Sequence, residues 1–331
     1  MRFEELISLQ KLDLNIKIHK TEQRIKEFYS NPKVNGKIYV AFSGGKDSTV
    51  LLDIVRSVYP NTPAMFVDTG LEFPEIKKFI KTIDNVDTFR PKVGFREVLQ
   101  KEGYPVISKN TAKKLRILEH TTNRNKAERR LFVTGMRTCD GGQSKAGKLA
   151  NKWLKKFLVG YEEYDKYNLD EIDNVKYIAP FSVSERCCNI MKKEPAKRYH
   201  KETGRFQITG VMASDSMTRK VNYLRYGCNS FEGKIQSQPL GFWREKDIWD
   251  YINEKNLPHS TIYDEPFGYD RTGCIFCMFG CHLEKYPNRF QRMQTTHPKL
   301  YEYCMNELGL KDVLKYLEIP YEDKWIVWTK Q

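Results

Sequence analysis

No apolar stretch in these 331 residues approaches the roughly 20 needed to span a bilayer, which excludes a helical membrane span among them. The opening residues, Met1-Arg2-Phe3-Glu4-Glu5, lack the basic region and apolar run of a secretory signal, so the expected compartment is the cytoplasm. Cysteine is sparse. Eight in a chain of this length cannot build a disulfide scaffold, and in the cytosol clustered cysteines bind metal or do redox work. Acidic residues are short too, 42 against 56 Lys and Arg, leaving a net charge of +14. Disorder is excluded by a hydrophobic content of 40% and an aromatic content of 13%. The length predicts two domains, or one domain with a large appendage.

The organising stretch is Ser43-Gly44-Gly45-Lys46-Asp47-Ser48, between the apolar run Ile38 to Phe42 and the helix-like run Val50 to Val58. This pattern predicts strand, tight loop and helix N-terminus. Glycines let the backbone approach an oxyanion closely, and the free N–H groups of the next helix favour bound phosphate. Lys46 adds a point charge, and Ser43 and Ser48 add hydroxyl donors. The spacing is not the G-x-x-x-x-G-K-[ST] of the ordinary P-loop. A glycine turn capped by Ser and Asp is the plainer alternative, and it leaves Lys46 unexplained.

The stretch resembles the SGGxDS loop of the PP-loop ATP pyrophosphatases and of the related adenylyl-sulfate and phosphoadenylyl-sulfate (PAPS) reductases. Ala64 to Asp68 reads as a second strand, Val86 to Arg90 as a third, with helices from Glu75 and from Phe95 to Glu102. Such alternation predicts an α/β fold with a parallel sheet flanked by helices, its ligands at the carboxyl ends of the strands. Ser43 and Asp68 lie at such ends. The run Asp68-Thr69-Gly70-Leu71-Glu72-Phe73-Pro74 is similar to the segment that follows the second strand in the PAPS reductase branch, beside the nucleotide. Asp68 and Glu72 also read as simple loop caps. Further on, Gly210 to Arg219 resembles the family's Gly-x-Arg-x-x-Glu-Ser-x-x-Arg segment. Ser216 and Arg219 match, whereas Met212 replaces the first Arg and Asp215 replaces the Glu. A missing Arg removes a planar anion clamp that Met cannot imitate. Gln238-Pro239-Leu240, Trp243, Asp247-Ile248-Trp249 and Leu257-Pro258 follow the same family's succession, and the resemblance covers roughly residues 36–105 and 178–282. It implies an adenine nucleotide alpha hydrolase-like fold of Rossmann type. The expected division is an N-terminal helix (1–35), a nucleotide-binding domain (36–108 and 177–258), a basic helical insertion (109–176) and a cysteine-cluster loop with C-terminal helices (259–331).

From Lys109 to Lys156 there are 14 Lys or Arg against three acids, so this segment carries +11 of the net +14. Such a block suits a polyanion, tRNA or DNA, and reads equally as a solvated helical face. Ser144 is the expected cap of a helix bearing Lys145, Lys148, Lys152 and Lys155 along one face. Trp153 and Phe157 lie near that stripe, where aromatics can stack bases, although such residues are more often core.

Five cysteines fall into two groups, Cys187-Cys188 and Cys274, Cys277, Cys281. A C-x-x-C pair suits Zn or an iron–sulfur cluster, and the adjacent pair is awkward for a tetrahedral mononuclear site. Cys-Cys with a C-x-x-C 86 positions later is similar to the arrangement that carries the [4Fe–4S] cluster of adenylyl-sulfate reductases. The resemblance implies Cys187, Cys188, Cys274 and Cys277 as ligands, with Cys281 as a replacement ligand, an open site or a persulfide carrier. Lys192 and Lys193 would offset an anionic cluster or lie on a solvated face.

The family's C-terminal Glu-Cys-Gly-x-His segment, whose thiolate attacks the sulfonucleotide, has no match here, and Cys304 sits in a helix-like run. Three readings follow. In the first, the loop binds ATP, an acceptor oxygen attacks the α-phosphate, pyrophosphate leaves on Mg²⁺, and sulfur displaces AMP, on a nucleic-acid acceptor and with a sulfur-donor protein. Lys46 neutralises the leaving group, and Asp47 or Asp68 holds the metal. The second is an adenylyl-sulfate or PAPS reductase that uses an external thiol such as thioredoxin. The third is a non-catalytic nucleic-acid-binding or regulatory iron–sulfur protein.

Overall fold

The structure, a computed structural model, describes residues 3–136, 147–162 and 170–323. Its backbone contacts separate two compact units, Met1–Lys92 with Met191–Ile275 and Val93–Ile190 with Phe276–Gln331. In chain order the strands are β1 (Ile38–Ala41), β2 (Ala64–Val67), β3 (Val86–Phe89), β4 (Val106–Ile107), β5 (Leu158–Val159), β6 (Lys176–Tyr177), β7 (Phe206–Ile208), β8 (Asn229–Ser230), β9 (Gln236–Ser237) and β10 (Met278–Phe279).

The first unit holds a six-stranded sheet in the order β3-β2-β1-β7-β9-β8. Every pairing is parallel except β8 with β9. The expected flanked parallel sheet is therefore present, with one antiparallel edge. Ile38, Tyr39 and Val40 are buried, as a central strand covered on both faces requires. Val40 pairs with Ala64 on one side and Ile208 on the other, so the chain segments before and after the basic block meet in one sheet. Around Tyr39, Met65 and Tyr199 a core cluster forms. Tyr199 turns edge-on to Tyr39 at 4.7 Å and donates to Asp87 Oδ2 at 2.7 Å.

The single N-terminal helix expected within residues 1–35 is two helices, Phe3–Gln10 and Leu14–Ser30. Asp13 is extended (φ −63°, ψ 151°) and starts the second. That helix is tied into the unit by side chains the periodicity did not mark. Lys17, fully buried, reaches Asp247 Oδ2 at 2.6 Å and the carbonyl of Gln10 at 3.0 Å. Asp247 Oδ2 also accepts from the backbone N–H of Arg244, capping the helix Glu245–Lys255. Thr21 accepts from the indole N–H of the buried Trp243.

In the second unit β4 pairs parallel with β10 and β5 antiparallel with β6. Helices Phe95–Glu102, Lys109–Glu119, Lys126–Thr134, Asn151–Phe157, Arg289–Thr296, Pro298–Glu302 and Leu310–Tyr316 surround them. Trp153 and Phe157 are core, Phe157 packing on Phe181 and Tyr316. Part of the basic block is turned inward: Lys114, Arg129 and Arg130 are buried, Arg129 reaching Asp173 and the carbonyl of Ile172 at 2.9 Å each. Arg116 forms a fork with Glu185. Lys109, Lys113, Arg124, Lys152 and Lys155 stay exposed. The expected cap Ser144 lies outside the described residues, and the helix is described from Asn151, with Ala150 before it. No described helix is long and apolar enough to cross a membrane.

Removing one partner of a buried ion pair leaves the other charge uncompensated, at about 3–5 kcal/mol. Lys17→Ala is expected to lower the unfolding free energy, measured by urea titration, by an amount in that range. A Lys17→Met variant combined with Asp247→Asn is expected to recover much of the loss, because it leaves no unpaired charge.

Candidate functional site

Beyond β1 the chain turns through Ser43, Gly44 and Gly45 into the helix Lys46–Val58. Gly44 has φ +71°, a left-handed conformation that a side chain resists. A Cβ there would also lie 2.8 Å from Ile80 and 2.9 Å from Ile76. At Gly45 the reason is close approach, for a Cβ would sit 2.8 Å from Thr272 Oγ1 and 3.1 Å from the Tyr263 hydroxyl. Ser48 pins the turn: its hydroxyl donates to the Gly45 carbonyl at 2.8 Å and accepts from the Ser43 N–H at 3.2 Å. The Ser43 hydroxyl lies 3.1 Å from it. Gly210, just past β7, packs its backbone against the 47–48 peptide, where a Cβ would lie 2.9 Å from the Asp47 carbonyl.

Lys46 is a buried cation, 4% exposed. Its Nζ pairs with Glu245 Oε1 at 2.9 Å and donates to the Asp270 carbonyl. The rings of Tyr263 and Trp249 lie 5.1 and 5.7 Å from it. Its backbone N–H donates to the Tyr263 hydroxyl at 3.0 Å, which contacts Thr272 Oγ1 at 3.1 Å. Asp47 is held differently. Burial pushes its carboxyl above the ordinary range, and the charges of Asp215 and Glu245 push the same way against Lys46 and Arg271. Its Oδ1 is buried with no hydrogen-bond partner.

Asp68 ends the second strand in an ion pair with Lys77 at 2.6 Å and Arg90 at 3.2 Å. Burial alone would raise its pKa, but Lys77, the Gly70 N–H and Arg90 outweigh burial and hold it low. Thr69 donates to Glu72 through both its N–H (3.1 Å) and its hydroxyl (2.6 Å), so the Asp68 to Glu72 turn is closed on itself. Ser216 caps the helix Met217–Tyr226 by accepting from the Arg219 N–H. Arg219 is held by the Asp215 carboxylate, which also meets Arg271 at 3.5 Å. Met212, where the family pattern has an arginine, is buried, and its N–H donates to that carboxylate.

The carboxyl ends of β1 and β2 open on a cleft of about 190 Å³ lined by Phe42, Ser43, Val67, Phe73, Lys192 and Thr272. Its walls are mostly apolar, with the Lys192 cation and the Glu72 carboxylate also lining it, and an apolar slot of this kind suits a flat heterocycle. Of the residues around Lys46 and the loop, Trp249 is marked in the sequence only as part of the family's succession, and Glu245, Asp270 and Thr272 carry no mark at all. They lie about 200 residues away, outside any local motif.

All seven described cysteines are free of disulfides. Cys274 belongs to the first unit, and Cys187, Cys188, Cys277 and Cys281 belong to the second. Among the described residues no set of three or more His, Cys, Asp or Glu side chains forms a group that could hold a metal ion. The thiol chemistry of these residues suits an iron–sulfur cluster. Burial pushes Cys281 and Cys304 up to about 12 each. Both thiols are therefore protonated at neutral pH, the opposite of an activated nucleophile.

The family model described as phosphoadenosine phosphosulfate reductase domain matches residues 37–157 and 160–279. An uncharacterised protein of Methanocaldococcus jannaschii is 26% identical over 320 residues, covering 93% of this chain and 57% of that protein. The chain thus spans little more than half of that relative's length. Adenosine 5'-phosphosulfate reductase 2 of Bacillus subtilis is 27% identical over 242 residues, 73% of this chain and 72% of the relative. Among solved structures, the phosphoadenylyl-sulfate reductase of Candida auris in its phosphate complex aligns with a TM-score of 0.40 and 16% identity, covering 83% of this chain and 96% of that one.

Because the Asp47 pKa is raised on folding, its stabilising effect is fully present below the unfolded carboxyl value of 3.8 and is lost as pH rises through the folded value. Asp47→Asn is therefore expected to flatten the fall in stability above about pH 4. Urea midpoints at acid and neutral pH check this, and equal slopes for the variant and the parent chain would contradict it.

Proposed function

The chain belongs to the phosphoadenosine phosphosulfate reductase family, and we propose that its first unit binds ATP and adenylates an acceptor oxygen as the activating half of sulfur transfer to a nucleic acid. In that reaction the acceptor oxygen attacks the α-phosphorus, the bond to the β-phosphate oxygen breaks and pyrophosphate leaves. A sulfide-level nucleophile then replaces the adenylated oxygen, forming the carbon–sulfur bond and releasing AMP.

The observation that carries the proposal is the buried, partnerless Oδ1 of Asp47 beside Lys46. Mg²⁺ is usually held by one or two carboxylates together with substrate phosphates, so a single unsatisfied carboxylate oxygen at the phosphate loop fits it. When bound, the ion would offset charge on the departing pyrophosphate. Lys46, already fixed by Glu245 and Asp270, supplies the second positive charge without reorganisation. Asp68, tied to Lys77 and Arg90, orders the neighbouring turn instead of taking the metal. Arg219 and Arg271, bridged by Asp215, would face the nucleotide as a partly neutralised pair. The pattern Cys187, Cys188, Cys274 and Cys277 supports a [4Fe–4S] cluster from sequence alone, and iron and acid-labile sulfide on anaerobically purified protein test it.

The naming of the Bacillus subtilis relative favours a second reading, reduction of adenylyl sulfate or PAPS with an external thiol such as thioredoxin. A sulfonucleotide has no pyrophosphate to release and leaves the Asp47 oxygen without a task.

With Mg²⁺ and α-labelled ATP, pyrophosphate and AMP are expected to appear, to rise on addition of tRNA or DNA, and to fall by at least a hundredfold in Lys46→Ala or Asp47→Asn, the scale of losing a principal charge contact. Sulfite from adenylyl sulfate or PAPS with thioredoxin, without ATP turnover, would replace this reading by the second.

A further inference from the structure

In the second unit a separate pocket of about 360 Å³ lies between the helix Asn151–Phe157 and the loop that follows Cys281. Lys152, Trp153, Cys281, His282, Tyr286 and Ile319 are among the residues that line it. We infer that this pocket and its rim bind single-stranded nucleic acid, seating one base on Tyr286 with the flanking phosphates on Lys152 and Lys155. The inference rests on the acceptor named above and gives that acceptor a surface.

Four observations carry it. First, the volume suits one nucleotide, and the walls combine apolar and polar groups as ligand sites do. Second, Tyr286, which lines the pocket, is 60% exposed, and Leu283, between the lining residues His282 and Glu284, is 76% exposed, large apolar side chains that the unit itself does not cover. Third, exposed cations surround them: Lys152, whose Nζ lies 4.5 Å from the Trp153 ring centroid, Lys155 one turn on, and Lys285 between the two apolar residues. Aromatic faces set among cations are how single strands are held without base reading. Fourth, the His282 Nδ1 is buried without a hydrogen-bond partner, its ring edge-on to Trp153 at 5.7 Å. A polar group in that position is matched by a base edge.

The nearby acids are already engaged. Glu284 pairs with Arg289, and Glu318 pairs with Lys156 at 2.8 Å. Asp323 accepts from the Tyr286 hydroxyl at 2.9 Å, which holds that ring at the rim without covering its face. Among the described residues of the lysine stripe seen in the sequence, Lys152 and Lys155 are exposed, so the stripe has a use even though Trp153 beside it is core.

Fluorescein-labelled U12 and dT12, titrated with the full chain in the absence of any nucleotide, test the surface by anisotropy. At least one oligomer is expected to bind, and more weakly as salt rises from 50 to 200 mM. Tyr286→Ala is expected to weaken binding about tenfold, the scale of losing one stacked base. Tyr286→Phe, which loses the bond to Asp323 but keeps the ring, should bind like the parent chain. Lys152→Ala with Lys155→Ala should weaken binding and reduce the salt slope. Circular dichroism confirms that each variant is folded. Failure of the folded parent chain to bind either oligomer overturns the inference, as does unchanged affinity in the Tyr286→Ala and double-lysine variants, or a preference for duplex. Because the binding assay contains no ATP, its result is independent of the turnover assay, and oligomer binding in the one with no ATP turnover in the other would sink the adenylation reading and leave the surface standing. ATP turnover without oligomer binding would do the reverse.

Discussion

A cation buried at the start of a helix is the constraint around which the first unit is arranged. Burial strips Lys46 of water, and the N-terminal end of a helix dipole repels positive charge. Neither cost is met locally, since Gly45 before it has no side chain to offer. Compensation comes from distant segments. Glu245 supplies a carboxylate, Asp270 a carbonyl, and Trp249 and Tyr263 present ring faces. Those contacts explain why the stretch from Glu245 to Thr272 must return to the phosphate loop, and why Gly45 tolerates nothing larger than hydrogen.

The surrounding charges follow a consistent division of labour. Asp215 takes up Arg219 and Arg271, Asp68 takes up Lys77 and Arg90, and Glu72 takes up the Thr69 turn. Asp47 differs in having one oxygen buried and unsatisfied, and its carboxyl is pushed up by that burial. With Asp215, Asp68, Glu72 and Glu245 each matched, a bound ion or proton is directed to this one.

Much of this fold was legible because its signals are local. Two glycines between an apolar run and a helical pattern mark strand, loop and helix, and the loop stands where that pattern puts it. The helix begins at Lys46, before the apolar run at Val50, since its first turn is polar. The break at Asp13 was hidden because apolar residues continue on both sides of it. The basic block was legible as charge but not as direction: Arg129 and Arg130 sit beside Phe132 and Val133 and are buried like them. The partners of Lys46 were illegible for a different reason. Complementing a buried charge needs only one carboxylate and one carbonyl, which any segment can provide, so no spacing announces them.

The N-terminal helices have a reach beyond support. Lys17 neutralises Asp247, and Asp247 caps the helix whose first residue, Glu245, holds Lys46 and whose Trp249 lies near the same amine. The chain of contacts from Leu14–Ser30 to the phosphate loop is thus two ion pairs and one cap long. A truncation or fusion that displaces the opening segment would therefore disturb the Lys46 loop from a position that does not touch it and, on the proposed reading, would change ATP affinity.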